Sequence, residues 1–241
     1  MGLIDYLIAK GWLKTPEIIR AFKAIKRVDF LPDDLKDLAE INEALPIGNN
    51  QTISQPLVVA FMLELLQPEP GQKILDIGCG SGYTTALLAR IVGGNDTRYK
   101  ILDTKYKSKV VGVEIIPELA KFARDNVAKY NFVENGIAEI ICADGSKGYA
   151  EESPYDKILV SASLQAESPE PSRRNELPEA LIPGWVGPGA RAPRAWKEQL
   201  KIGGRIVTPI GNSIWLFIKK GKDEFEEIEY PGFVFVPLVS K

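Results

Sequence analysis

The sequence predicts an α/β domain built on a doubly wound, mostly parallel sheet, with a helical segment before the sheet and antiparallel strands at its C-terminal edge. Two observations favour this fold. From residue 73 onward, short β-branched apolar runs alternate with helical runs, which is the pattern of parallel strands joined by crossover helices. The length of 241 residues, 45% of them hydrophobic, is sufficient for one continuous core. We therefore expect residues 1–241 to form a single domain.

The N-terminal segment, residues 1–44, is expected to be helical. Leu3–Lys10 is a short amphipathic run. Thr15 and Pro16 then supply an N-cap and a proline at the first helical position, and apolar residues such as Phe22 follow at helical spacing. Two helices are therefore predicted before the sheet begins.

The predicted strands are short, β-branched and apolar, as expected of strands that are buried on both faces. They cover residues 73–78, 110–115, 138–143, 157–162 and 204–210. Helical runs lie between them at residues 83–91, 117–130 and about 194–200. The tail, from residue 213 to residue 239, predicts two or three further strands at the sheet edge.

Two stretches interrupt this alternation and are interpreted as insertions. Residues 93–109 are rich in lysine, and they form either a solvated loop or a surface that binds phosphate or RNA. Residues 165–193 contain six prolines and three glycines and follow the carboxyl end of a predicted strand. Because ligands bind at that end of α/β sheets, this second insertion is either a lid over a substrate or a passive excursion.

The composition excludes several classes of function. The chain contains no histidine, so Ser-His-Asp and Cys-His catalysis and His-ligated metals are excluded, and we expect no metal. The formal net charge of −2 argues against a nucleic-acid-binding protein. The apolar run Leu57–Leu66 is too short to span a membrane, and we expect no secretory signal because the first residues lack a basic region and reach Asp5 early. We expect a cytoplasmic monomer, in keeping with only two cysteines.

The strongest local signal is the turn DIGCGSG, residues 76–82, between a strand and a helix. A Walker phosphate loop needs a Gly-Lys-Ser/Thr ending, which this turn lacks. The dinucleotide fingerprint fits Gly78 and Gly80 but requires a third glycine where Tyr83 stands. The turn matches the D-x-G-x-G-x-G pattern of S-adenosylmethionine-dependent methyltransferases at every position, with a purely structural glycine turn as the alternative.

Carboxylates at the ends of the next two strands support a cofactor crevice. Glu114 ends the second strand, where it could accept hydrogen bonds from two ribose hydroxyls. Asp144 follows the third strand and precedes Gly145, where a carboxylate could meet an adenine amino group. An Asp-Gly pair alone is most often a turn. The glycine turn, Glu114 and Asp144 lie at the ends of three successive strands, and together they predict one binding site.

The segment LPIGNNQTISQP, residues 45–56, concentrates amide and hydroxyl side chains directly before an apolar helical run. It allows two interpretations. In one, the segment is a polar turn in which Ser54 caps the following helix. In the other, it is a binding edge whose donors and acceptors face a ligand. Nothing within the segment decides between them.

At this point the sequence resembles the protein-L-isoaspartate O-methyltransferases, a family with a Rossmann-like class I methyltransferase fold. The resemblance rests on motifs along nearly the whole chain apart from the two insertions. These are LKTPEIIRAFKAIKRVDFLP (13–32), LPIGNNQTISQP (45–56), ADGSKGY (143–149), PYDKILVSAS (154–163), LKIGGRIVTPIG (200–211) and GFVFVPLV (232–239). The sequence departs from the family at Asn49-Asn50, where relatives commonly carry an aromatic residue or histidine and then glycine, and after Ser163.

The resemblance implies a role for individual residues. Ser54 is the implied active-site residue, and it contacts the substrate together with Ser161 and Ala162. The implied contacts to S-adenosyl-L-methionine come from the hairpin segment, the glycine turn and the two strand ends. These residues are Thr52, Ile53, Asp76, Gly78, Cys79, Gly80, Glu114, Ile115, Asp144 and Gly145.

The implied reaction is methylation of the free α-carboxylate of L-isoaspartyl residues in damaged proteins, a form of protein repair. A carboxylate with a pKa near ~4 is already ionised at pH 7, so a chain without histidine can support this reaction. Two alternatives remain open from the residues. The acceptor could be another carboxylate or a small molecule, or the chain could be a non-catalytic adaptor that binds the cofactor.

Overall fold

The computed structural model describes residues 1–94, 108–162 and 192–233. Within these ranges the α-helices are α1 (Leu3–Ala9), α2 (Pro16–Ala24), α3 (Pro56–Leu66), α4 (Tyr83–Val92), α5 (Pro117–Ala128) and α6 (Arg194–Gln199). Short 3-10 helices cover Arg27–Phe30, Asp33–Leu38, Gly145–Lys147 and Ala150–Glu152. The strands are β1 (Leu45–Gly48), β2 (Gln51–Ile53), β3 (Lys73–Ile77), β4 (Lys109–Glu114), β5 (Ala138–Cys142), β6 (Tyr155–Val160), β7 (Leu200–Ile210), β8 (Ser213–Lys219) and β9 (Phe225–Pro231). No helix in these ranges is both long and apolar enough to cross a membrane.

Seven strands form one sheet in the order β5-β4-β3-β6-β7-β8-β9. The first five run parallel, and β8 and β9 are antiparallel to their neighbours, so the predicted α/β fold with antiparallel edge strands is confirmed. From β3 the chain continues to β4 and β5 on one side and returns to β6 and β7 on the other. That reversal opens a crevice at the carboxyl ends of the strands.

The strands are continuously apolar because each of their faces packs against a buried cluster. Alternate residues such as Ile74 and Val110 face a large core shared with helices α1 to α5. Their neighbours Leu75 and Val111 face a second cluster, where Trp196 of α6 is fully buried. Burying side chains on both faces removes the alternation of polar residues that a half-exposed strand would show.

Polar side chains attach the N-terminal segment to the rest of the domain. The carboxylate of Glu64 in α3 accepts the backbone N–H groups of Lys14 and Thr15, at 2.7 and 2.8 Å, and the Thr15 hydroxyl at 2.7 Å. Thr15 occupies the predicted N-cap position, but its own side chain does not cap α2. Glu64 interrupts an otherwise apolar run because its carboxylate accepts hydrogen bonds from the residues directly before α2.

Most element boundaries agree with the predictions to within two residues. The main differences are the start of β7, four residues earlier than predicted, and the antiparallel hairpin β1–β2, which the sequence interpretation did not contain. Residues 95–107 of the first predicted insertion lie outside the described residues, as do residues 163–191, which include residues 165–191 of the second insertion, and the stretch 234–241.

Candidate active site

A cleft of about 750 Å³, including its open mouth, lies at the carboxyl ends of β3, β4 and β6. Two parts of the chain form separate portions of its lining, and further residues come from other elements. We call residues 76–82 together with Glu114 the glycine-turn wall, and residues 45–54 the hairpin wall. The predicted site residues that line the cleft are Thr52, Ile53, Ser54, Gly78, Cys79, Gly80, Glu114, Ile115, Gly145, Ser161 and Ala162.

The glycine turn takes a backbone conformation that favours glycine. Gly82 has φ +85°, and a Cβ atom there would lie 2.9 Å from Val127 Cγ2 and 3.0 Å from the Ala123 carbonyl oxygen. The absence of a side chain therefore lets the turn pack directly on α5. Helix α4 begins at the next residue, Tyr83, so its free N–H groups and positive dipole end lie at the cleft.

Glu114 holds the turn from the neighbouring strand. Its Oε2 accepts the backbone N–H of Gly80 at 2.9 Å, and its Oε1 accepts the N–H of Ile116 at 3.0 Å. The side chain is buried yet borders the cleft. Each carboxylate oxygen can accept more than one hydrogen bond, so Glu114 retains acceptor capacity for hydroxyl groups of a ligand.

Asp76 lies beneath the turn rather than in the cleft lining, and it is fully buried. Its Oδ2 accepts the hydroxyls of Thr84 and Thr85, both at 2.7 Å, and its Oδ1 accepts the Ser161 hydroxyl at 3.4 Å. Burial raises the pKa of the Asp76 carboxyl to about 6, although the three hydroxyl groups oppose this effect. Asp76 therefore reaches the cleft through two side chains that line it, those of Ser161 and Thr84.

The thiol of Cys79 borders the cleft but is unsuited to nucleophilic chemistry. Burial raises the pKa of the Cys79 thiol well above its ordinary value, and the nearby Asp76 and Glu114 carboxylates raise it further. The reactive form of cysteine is the thiolate, which this environment disfavours. Cys79 is consequently a packing residue in the wall.

The hairpin wall is formed by β1 and β2, which are joined at Asn49 and Asn50. Both asparagines have positive φ, +51° and +56°, as a two-residue type I′ turn requires. Asparagine tolerates this region better than most residues, which explains a pair of asparagines here. The hairpin also meets the glycine turn, because a Cβ atom on Gly80 would lie 3.2 Å from Ile47 Cδ1.

Ser54 follows β2 and lines the cleft, but it does not cap α3. The cap position is Gln55, which makes no side-chain capping bond, and the first-turn N–H of Leu57 is instead accepted by Asn42 Oδ1 at 3.0 Å. The interpretation of Ser54 as a helix cap is therefore wrong, because an upstream residue has taken that function. The Ser54 hydroxyl forms no hydrogen bond with any residue in ranges 1–94, 108–162 and 192–233.

Asp144 and Gly145 lie at the far end of β5, where the chain makes a tight turn. Asp144 does not line the cleft, and its Oδ1 accepts the N–H of Ser146 at 2.9 Å. Gly145 is close-packed, since a Cβ atom there would lie 2.5 Å from Ile77 Cγ2. Trp196 fixes this turn by donating its indole N–H to the Gly145 carbonyl at 3.0 Å.

The structure adds residues to the site that sequence reasoning did not identify. Those lining the cleft are Gln51, Val59, Ile77, Ser81, Tyr83, Thr84, Val113 and Ile116. The pair Thr84-Thr85 in the first turn of α4 could have been found, because two hydroxyls at a helix start suit a buried acid such as Asp76. Asn42 carries no comparable local signal, since its partner Leu57 is 15 residues away.

Comparison with known proteins identifies the relatives of this chain. The family model described as protein-L-isoaspartate(D-aspartate) O-methyltransferase matches residues 1–175 and 185–241. A protein-L-isoaspartate O-methyltransferase of Methanopyrus kandleri is 36% identical over 243 residues, covering 99% of this chain and 90% of the relative. The Staphylothermus marinus protein of the same name is also 36% identical, with 99% and 93% coverage.

Solved structures of similar fold include a putative protein-L-isoaspartate O-methyltransferase from Plasmodium falciparum in complex with S-adenosyl-L-homocysteine. It superposes with a TM-score of 0.73 at 20% identity, covering 99% of this chain and 97% of that one. A second structure, of a protein-L-isoaspartate O-methyltransferase, gives a TM-score of 0.74 at 25% identity, with 98% and 64% coverage.

Proposed function

This chain belongs to the protein-L-isoaspartate(D-aspartate) O-methyltransferase family, and from that premise we propose how its own residues perform the family's reaction. The protein is an S-adenosyl-L-methionine-dependent methyltransferase that acts on L-isoaspartyl residues in damaged proteins. The proposal rests on the position of Ser54 and on the availability of its hydroxyl. It borders the same cleft as the glycine turn, and no described residue competes for it.

The glycine-turn wall would hold the cofactor. Glu114 keeps acceptor capacity for the ribose hydroxyls while it fixes the N–H of Gly80. The start of α4 and the backbone of residues 78–80 face the ligand, with Thr52, Ile53 and Ile115 as further contacts from the rim. Gly145 would border the adenine, with Asp144 shaping its turn. Asp76 would act from below, by holding Ser161 and the first residues of α4.

The hairpin wall would orient the substrate carboxylate that accepts the methyl group. A carboxylate is ionised at neutral pH, so no general base is required. Bound S-adenosyl-L-methionine would supply the methyl group, and its transfer to one carboxylate oxygen, with loss of the carbon–sulfur bond, would give a methyl ester and S-adenosylhomocysteine. Ser54 would donate a hydrogen bond that orients the carboxylate without neutralising it, with Ser161 and Ala162 beside the acceptor. Orientation of this kind can supply on the order of 7–11 kcal/mol.

The reaction is tested with methyl-labelled S-adenosyl-L-methionine and three peptides that are identical except for an isoaspartyl, a D-aspartyl or a normal L-aspartyl residue at one position. We expect base-labile methyl ester on the isoaspartyl peptide well above the normal aspartyl control. Equal labelling of the isoaspartyl and normal peptides, or labelling of neither, would contradict the proposed acceptor. A small dicarboxylic acid in the same assay tests the alternative of a free carboxylate substrate.

We further propose that residues 1–241 act as one methyltransferase domain, as a cytoplasmic monomer that binds neither nucleic acid nor membrane. The net charge of −2 supports the absence of nucleic-acid binding. Cys79 and Cys142 are both free thiols, which suits a reducing compartment. Sedimentation of the purified chain at several concentrations tests the monomer, since a mass that rises towards twice 26.6 kDa would refute it.

A further inference from the structure

The guanidinium of Arg27 is buried within the N-terminal segment, and its side chain joins two parts of the chain near the cleft. Its Nη1 donates to the carbonyl oxygens of Ala39 and Ile41, both at 3.1 Å. Its Nη2 donates to the carbonyl oxygen of Glu43 at 2.7 Å and lies 3.5 Å from that of Ser54. One side chain therefore contacts four backbone carbonyl groups, the last of which belongs to the proposed catalytic residue.

The segment that Arg27 holds, residues 39–43, also supports two residues that follow Ser54, Gln55 and Leu57. Asn42 Oδ1 accepts the N–H of Leu57, and the Asn42 carbonyl oxygen accepts the side-chain amide of Gln55 at 2.8 Å. Arg27 thus acts on the Ser54 backbone by two routes. One is the weak direct contact at 3.5 Å, and the other is the firmer path through residues 39–43.

A guanidinium is specifically suited to this position. Burial lowers the pKa of Arg27, but a guanidinium remains protonated in proteins, so the buried charge must be stabilised by surrounding acceptors. Carbonyl dipoles from the 39–43 segment supply that stabilisation. A lysine would carry the same charge on one nitrogen, which cannot replace two terminal nitrogens that reach in different directions.

We propose that Arg27 is a positioning residue for methyl transfer. It fixes the backbone of Ser54 and so orients the Ser54 hydroxyl. This inference rests on the proposed role of Ser54. It predicts that loss of the guanidinium disturbs the hairpin wall and leaves the glycine-turn wall intact, because the hydrogen bonds of Arg27 within the described part of the chain do not reach residues 76–82 or Glu114.

The test compares Arg27→Ala and Arg27→Lys with Arg205→Ala. Arg205 is the matched control, because it too donates to a backbone carbonyl of the α3 region, that of Leu65 at 2.7 Å, but at the end of α3 far from Ser54. We expect both Arg27 variants to lower kcat with the isoaspartyl peptide by about 10- to 100-fold, with affinity for S-adenosylhomocysteine changed less than about threefold. Arg205→Ala should lower stability alone.

A double-mutant cycle separates a positioning role from a general loss of packing. If Arg27 acts through Ser54, Arg27→Lys should lower kcat much less in the Ser54→Ala background than in the wild type. A full loss in both backgrounds, wild-type kcat in Arg27→Lys, or an equal loss of cofactor affinity would overturn the inference. Should Arg27→Ala fail to fold, the lysine variant carries the test. A wild type without transfer, or a fully active Ser54→Ala, would instead refute the proposed function.

Discussion

The two walls of the cleft are supported in different ways. The glycine-turn wall is held by residues close to it in the chain or in the sheet: Glu114 from the adjacent strand, and Thr84 and Thr85 on the helix that follows the turn. The hairpin wall depends on residues distant in sequence, since Arg27 lies 27 positions before Ser54 and Asn42 lies 15 before Leu57. One wall is part of the central sheet and of the helix that follows it, whereas the other is a separate hairpin held by side chains of the N-terminal segment.

We infer from this difference that the glycine-turn wall determines cofactor binding and that the hairpin wall determines the orientation of the acceptor carboxylate. The proposed cofactor site is built on the parallel sheet and the start of α4, and sites on such regular elements hold their geometry more precisely than sites on loops. The hairpin wall has only two short strands, and its placement over the cleft depends on Arg27, Asn42 and the contact between Ile47 and Gly80. We therefore expect substitutions in the first wall to affect cofactor affinity and stability, and substitutions in the second to affect turnover.

The largest effect is expected from Gly82→Ala, which would break the glycine-turn wall. The change forces an alanine into the left-handed region, at about 1–2 kcal/mol, and crowds Val127 and Ala123, at about 1–3 kcal/mol more. Urea unfolding and calorimetric titration with S-adenosylhomocysteine measure the losses of stability and affinity. Gly136→Ala is the control, because Gly136 also has positive φ, +68°, but nothing lies within 4 Å of its Cβ position. Equal losses in the two variants would contradict the packing argument.

A smaller effect is expected from Asp76→Asn, and it depends on pH. The folded-state pKa of about 6 exceeds the ordinary 3.8, so the folded protein binds this proton more tightly than the unfolded chain does. The contribution of Asp76 to stability therefore falls as pH rises from about 4 to about 6. The asparagine variant lacks this titration, so its stability relative to wild type should rise by up to about 2–3 kcal/mol over that range.

Urea unfolding of both proteins between pH 4 and pH 7 measures this difference, and other groups that titrate equally in the two proteins cancel. Asp34→Asn, at an exposed position, controls for the loss of a carboxylate. If the difference between the Asp76→Asn variant and wild type stayed constant with pH, the burial of an ionisable Asp76 beneath the turn would be wrong.

The smallest effect is expected at the hairpin turn. Glycine adopts positive φ without the strain that a side chain brings, and Asn-Gly is the preferred pair for this turn type. Asn50→Gly should therefore raise the free energy of unfolding by about 0.5 kcal/mol, and Asn50→Ala should lower it by about 1 kcal/mol. Thermal unfolding measures both. Turnover should stay unchanged in Asn50→Gly, and a change in kcat without a change in stability would show that Asn50 takes part in the reaction.

The sequence predicts the glycine-turn wall far better than the hairpin wall, for a physical reason. Strands buried on both faces and a turn that needs three glycines leave a continuous local pattern, so β3, β4 and DIGCGSG were identified correctly. The hairpin was missed because β1 contains Pro46 and Gly48, which weaken a strand pattern. The Asn49-Asn50 pair was its only local sign.

Roles that depend on distant partners could not be predicted from the sequence. Ser54 has the sequence context of a helix cap, and only the position of Asn42 shows that the cap is provided from elsewhere. Arg27 stands in a helical segment among other charged residues, and nothing in RVDF indicates a buried guanidinium. The observed start of β7 is four residues before the predicted one, because Gly203 lowers the strand signal and the preceding residues follow directly on a helical run.

The most direct test of whether the two walls have separate roles is the Ser54→Ala variant, measured for both turnover and cofactor affinity. Since the hydroxyl bonds to no described residue, the variant should fold with wild-type stability and bind S-adenosylhomocysteine within a few-fold of wild type. Its kcat with the isoaspartyl peptide should fall by about 10²-fold, as for the loss of one oriented donor. Wild-type kcat in this variant would show that Ser54 does not direct the acceptor, and the account of the hairpin wall would be wrong.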